Sequence, residues 1–205
     1  MDRHRHRLGL RRLLRHRHGN RLRQSRRSSQ SRRHHCHRRQ TGVYSQLLPF
    51  IAAQFLGAFT GATLVWLFYF PHWKITEDQG AKLGIFCTAP AIRSPLSNLF
   101  CEALATAVLI VVIGALGAKT FAAAGPAPGL APYLVAILVW SIGLSLGGTT
   151  GYAINPARDL GPRIAHAVLP IAGKGGSDWG YAPVPVLGPI IGAALAGLFL
   201  KLTGI

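Results

Sequence analysis

Acidic side chains are scarce: 6 Asp and Glu stand against 23 Lys and Arg in 205 residues, for a net charge of +17. Residues 41–205 also lack a Walker motif, a metal-ligand cluster and a nucleophile with a nearby base. Neither an ATP-driven pump nor an enzyme therefore has support, and no catalytic residue, metal or cofactor is expected. Cysteine is limited to Cys36, Cys87 and Cys101, an odd set that implies no disulfide framework. Charged residues make up only 14% and hydrophobic ones 49%, the balance of a polytopic membrane chain with one domain.

The charge that is present sits almost wholly at one end. Residues 1–40 hold 15 of the 23 Lys and Arg and seven of the nine His, with Asp2 as the lone acid, so +14 of the +17 lies there. Beyond that point four apolar runs follow, over 47–70, 98–118, 131–152 and 184–200; the second carries Glu102 and the others carry no charge. Each is near the ~20 residues that a helix needs to cross a hydrocarbon core. They are apolar all round, whereas the helices of a soluble bundle keep one polar face. Gly57, Gly61, Gly188, Pro189, Gly192 and Gly197 within them suit close helix packing in lipid. Residues 71–97 and 119–129, punctuated by Pro or Gly, read as loops.

Between the last two runs lies Gly-Tyr-Ala-Ile-Asn-Pro-Ala-Arg-Asp-Leu-Gly-Pro-Arg, residues 151–163. Asn155 can cap a helix, Pro156 suits the first helical position because its missing N–H would be unsatisfied anyway, and Ala157 allows close approach. The helix that follows, roughly 155–169, is too short to span. It reads as a half-helix ending mid-membrane, tolerated only where its backbone is buried in protein or lines a polar cavity. Its N-terminus directs a positive dipole end and free N–H groups at that cavity, and Arg158, expensive in lipid, should face it too.

Asn155-Pro156-Ala157-Arg158 with Asp159 behind it resembles the second signature loop of the aquaporin family, in its glycerol-facilitator branch, and the similarity runs from about Leu47 onward. The resemblance implies an all-α membrane protein, here a truncated aquaporin-like right-handed helical bundle with four full spans and one half-helix. In that family two half-helices meet at the bilayer centre and their asparagine amides donate to a single file of water or polyol. One such asparagine is present where the family needs two. Arg158 matches the family's constriction arginine, Tyr152 stands where glycerol facilitators usually have phenylalanine, and Gly143 stands where narrow water channels carry histidine. A glycine there leaves room for a carbon backbone, while an aromatic face beside a cation makes an amphipathic slot suited to polyols. Asp159, Arg163, Pro185 and the loop 172–181 also resemble the glycerol branch.

Glu102 has no Lys or Arg partner within its span, so its carboxylate is expected to accept backbone N–H donors. In the similar family a glutamate at this place braces the loop that carries the asparagine motif. The implied function is passive conduction of glycerol, small neutral polyols and water, with cations and protons repelled by Arg158 and the half-helix dipole. The implied setting is the inner (plasma) membrane, with the lipid bilayer and a homotetramer as partners.

The basic segment 1–45 admits several readings: an arm for nucleic acid or anionic lipid, a targeting peptide, or a metal-binding His cluster with Cys36 whose spacing is not that of a zinc site. A fourth reading explains more. When the last two bases of each codon are joined to the first base of the next, residues 26–36 decode, with permitted codons, as Gly-Ala-His-Leu-Asn-Pro-Ala-Val-Thr-Ile-Ala, the typical first signature of the family. The decoding shows compatibility with an out-of-frame first half-pore, which ranks above a nucleic-acid arm. It implies a damaged chain. The expected organisation is thus a disordered or out-of-frame segment at 1–45 and a channel domain at 46–205, with an inactive membrane fragment or a membrane-tethered basic arm as alternatives.

Overall fold

The computed structural model describes residues 46–118 and 129–204; the expectations for residues 1–45, including the His cluster with Cys36, lie outside the described residues. Seven helices are described: α1 (Gln46–Phe68), α2 (His72–Ile75), α3 (Gln79–Phe86), α4 (Pro95–Leu116), α5 (Leu130–Leu146), α6 (Pro156–Val168) and α7 (Pro183–Thr203). Among the described residues there is no strand. Residues 51–205 form one compact unit; of the other, 1–50, only the first residues of α1 are described.

Among the described residues three helices, α1, α4 and α7, are long and apolar enough to cross a membrane. Expected at 47–70, 98–118 and 184–200, they differ from the runs read from sequence by a few residues at each end, chiefly because Pro95 and Pro183 start α4 and α7 one turn or less earlier. The fourth run is shorter than expected. α5 stops at Leu146 and spans 17 residues, about 25 Å at 1.5 Å per residue. Composition remains weakly polar through residue 152, but Gly147 and Gly148 break the helix, and the backbone then turns left-handed at Gly151 (φ 78°), Tyr152 (φ 41°) and Ile154 (φ 45°). The expected loop 71–97 contains α2 and α3, the latter started by Asp78, whose Oδ1 accepts the Gly80 N–H at 2.7 Å.

α4 and α7 form an extensive helix pair. Their contact is glycine-made: a Cβ at Gly188 would lie 2.5 Å from the Glu102 Cβ, and one at Gly192 would collide with the Ala103 carbonyl. Gly161 plays the same part between α6 and α1, where a Cβ would sit 2.8 Å from that of Ala58. Gly57, Gly61 and Gly197 do not: a Cβ at any of them would meet nothing within 4 Å among the described residues. Their expected packing role is not seen there, because their faces of α1 and α7 look away from the described chain.

A small apolar core of Ala62, Trp73, Phe86, Cys87, Ala165 and Ile171 joins α1, α2, α3 and α6. The Trp73 indole donates to the Trp66 carbonyl at 2.8 Å, which ties α2 back to α1. Leu56, Leu64, Phe68, Leu144, Leu195 and Leu198 are exposed, as suits helices with hydrocarbon for solvent.

Candidate functional site

The site is built around α6, a helix of 13 residues, about 20 Å long against a core of ~30 Å. Asn155 is its N-cap, in extended conformation (φ −154°, ψ 120°), and its Oδ1 accepts the Ala157 N–H at 2.9 Å. Pro156 occupies the first helical position, and buried Ala157 packs behind it. The far end is capped by Lys174, whose Nζ donates to the carbonyls of His166, Ala167 and Leu169 at 2.6–2.7 Å. Burial pulls the Lys174 ammonium below the ordinary lysine range.

The loop before α6 is held from behind. Glu102, 1% exposed, accepts the Ala153 N–H on Oε1 at 3.0 Å and the Ile154 N–H on Oε2 at 2.9 Å. These two bonds fix a segment in which Tyr152 and Ile154 both adopt the left-handed conformation, costly for residues with a Cβ. A buried carboxylate with two N–H donors and no cation is what Glu102 needs in an apolar span.

Asp159 faces away from the cleft, into a polar knot. Its carboxylate binds Arg163 through Nε at 2.8 Å and Nη2 at 3.0 Å, and also accepts the Thr88 N–H at 2.8 Å and its hydroxyl at 2.6 Å. Arg163 spends its other donors on the carbonyls of Thr88, Ser177 and Asp178. All five guanidinium hydrogens are therefore used. Beside this knot, burial pushes the Cys87 thiol up to about 12. Farther out, Arg93 forks onto Asp178 and lies over the Tyr181 ring, 5.5 Å from its centre, while burial and then the Glu102 charge push the Tyr181 hydroxyl up to about 12. The hydrogen bond to Asp178 raises the Arg93 guanidinium above its usual range.

The front of the loop opens on a cleft of about 520 Å³ lined by residues of α1, α4, α5, α6 and α7. Gln54, Tyr152, Asn155 and Arg158 supply polar groups, and Leu109, Ile110, Val139, Ile190 and Ala193 supply the apolar wall. Arg158 is exposed, with its guanidinium 5.6 Å from the centre of the Tyr152 ring. Of the residues singled out from sequence, Tyr152, Asn155, Pro156 and Arg158 line this cleft, whereas Glu102 and Asp159 stand behind its loop.

Gly143 differs from expectation. The room it leaves is filled by Tyr152: a Cβ at Gly143 would be 2.9 Å from the ring's Cζ, and one at Gly147 would be 2.6 Å from its Cδ1. Gly143 on α5 and Gly147 at its C-cap, four residues apart, form the seat of the ring. Sequence reading also missed Gln54, whose Oε1 accepts the Asn155 Nδ2–H at 2.8 Å. The available signal was an amide inside an otherwise uncharged span. Among the described residues no group of three His, Cys, Asp or Glu is placed to hold a metal ion.

Residues 40–200 match the Major intrinsic protein family. The chain belongs to that family. Within the major intrinsic proteins it is 57% identical over 152 residues to the probable glycerol uptake facilitator protein of Thermotoga maritima, covering 74% of this chain and 63% of that one. It is 55% identical over 156 residues to the glycerol uptake facilitator protein of Bacillus subtilis, covering 76% and 55%. A D/L-lactic acid transporter of Lactiplantibacillus plantarum is 44% identical over 163 residues, covering 77% and 66%. The X-ray structure of the aquaglyceroporin from Plasmodium falciparum superposes with a TM-score of 0.61 at 27% identity, over 74% of this chain and 62% of that one. The chain thus spans less than two thirds of the length of each of these major intrinsic protein relatives.

Proposed function

We propose that this multi-pass membrane protein serves a passive channel for glycerol, small neutral polyols and water. The observation that carries this reading is the cleft itself, with amide and guanidinium donors on one wall and aliphatic side chains on the other. A polyol is amphipathic in the same sense: its hydroxyls accept from Asn155 and Arg158 while its CH groups pass along Leu109, Ile110, Val139 and Ile190. Tyr152, Asn155, Pro156, Ala157 and Arg158 are proposed as the pore and selectivity segment, Gly143 as the seat of its aromatic side, and Glu102 and Asp159 as its support. The N-terminal dipole of α6 and the Arg158 charge disfavour cations and protons in the same place. The names of the relatives support glycerol as the permeant, and an inner (plasma) membrane homotetramer, with no enzymatic activity, is the setting that goes with it.

The test is stopped-flow light scattering of proteoliposomes under an inward glycerol gradient, with a pH-sensitive dye inside to follow protons. Rapid reswelling without acidification is the expected result, and vesicles indistinguishable from empty ones would reject the reading. The second reading, an inactive membrane fragment, predicts no reswelling. The same assay separates the two, and the nucleotide sequence across codons 1–45 tests the out-of-frame proposal directly.

A further inference from the structure

The Asn155 amide has two acceptor positions on Oδ1 and two N–H donors on Nδ2. Its Oδ1 is held by the N–H of Ala157, in its own helix, at 2.9 Å. That bond turns the NH2 group outward, toward the cleft. One Nδ2 hydrogen then goes to the Oε1 of Gln54 at 2.8 Å, across from α6 to α1. One hydrogen remains for a permeant.

Gln54 is exposed on the cleft, and its own Nε2 hydrogens have no acceptor among the described residues. Because Oε1 accepts from Asn155, the NH2 end of Gln54 is left to the cleft. Thr106, the polar residue that α4 contributes to this lining, spends its hydroxyl on the Glu102 carbonyl at 2.8 Å and adds no free donor. The cleft is therefore offered two amide groups with three uncommitted N–H hydrogens, one on Asn155 and two on Gln54.

We propose that Gln54 is a positioning and permeant-binding residue: it locks the Asn155 amide and places a second amide beside it to donate to the hydroxyl oxygens of a neutral solute. This rests on the channel reading above. Neutrality is part of the design. A carboxylate of the same shape would still accept from Asn155, but it would offer no donor and would bring a negative charge into the path of uncharged solutes.

Two variants of the whole chain separate the two roles, Gln54→Leu removing acceptor and donors, and Gln54→Glu keeping the acceptor alone. Selective 15N labelling of asparagine in detergent micelles marks the side-chain amides of Asn20, Asn98 and Asn155, and Asn155→Asp assigns the last. In Gln54→Leu the Asn155 amide signal should shift, and in Gln54→Glu it should keep the signature of a bonded N–H. An unmoved Asn155 signal in Gln54→Leu, with circular dichroism unchanged, overturns the positioning role whether or not the chain conducts. In proteoliposomes both variants should lower glycerol permeability roughly two- to tenfold, the range of one or two neutral hydrogen bonds. Wild-type conduction with neither variant impaired overturns the permeant-binding role and leaves the channel reading standing. Failure of the wild type to conduct rejects the channel reading and with it permeant binding, while the amide signal still decides the positioning role.

Discussion

Asp159 and Arg163 stand one turn apart on α6 and are both wholly buried, with Nε and Oδ1 2.8 Å apart. The pair is local in sequence, but its remaining bonds reach Thr88 on one side and Ser177 and Asp178 on the other. It therefore pins two distant loops to the half-helix.

Asp159→Asn should leave the Arg163 charge buried without its counter-charge. Breaking such a pair from one side costs about 3–5 kcal/mol. Thermal unfolding in detergent, followed by circular dichroism, should show a large fall in midpoint, and an unchanged midpoint would contradict the role given to the knot.

Glu102→Gln replaces one acceptor oxygen by a donor that faces an N–H. One of the Ala153 and Ile154 amides loses its partner, at a cost of about 1–3 kcal/mol. Amide exchange at those two residues should quicken before that of α4 or α7, and glycerol permeability should fall. Equal exchange rates in variant and wild type would show that the loop is held by something else.

Gly143→Ala should push the Tyr152 ring into the cleft. A methyl carbon 2.9 Å from Cζ is well inside the ~3.5–4.0 Å of a comfortable carbon contact. The expected outcome is a lower ratio of glycerol to water permeability in the same vesicles, and a raised or constant ratio would count against this ring as the narrowing element. Tyr152→Phe on the alanine background keeps the ring and so should restore little.

The Cys87 thiol is both buried and pushed up to about 12, so at pH 8 only about one molecule in 10⁴ carries the thiolate. N-ethylmaleimide should leave the Cys87 peptide unmodified in the folded chain and label it fully in denaturant, as read by mass spectrometry. Native-state labelling at pH 8 would show that the α3–α6 core opens readily.

The half-helix was legible to within a residue at each end because its signals are local: a cap, a proline in the first position and a length too short to span. The spans were legible for a similar reason, since hydropathy is a sum over neighbours. The end of α5 was not, because the apolar run continues through glycines that stay apolar in composition while changing the backbone. The sequence shows that Gly143 leaves room, but not that the room is taken by a ring nine residues on, which arrives through a left-handed turn. Gln54 and Asn155 are 101 positions apart, and no spacing rule connects an amide in one helix with a cap in another.

The glycine contact of α7 against α4 also has a meaning in time. Gly188 lies over Glu102, yet α7 begins at Pro183, so a ribosome adding about 5–20 residues per second leaves Glu102 waiting for roughly 4–16 s before α7 begins to emerge. The loop that satisfies the carboxylate comes sooner but still late, at Ala153 and Ile154, roughly 3–10 s after Glu102 at the same rate. Glu102 is thus made before both the loop that bonds it and the helix that covers it, and the α4–α7 contact can close only once α7 has been synthesised.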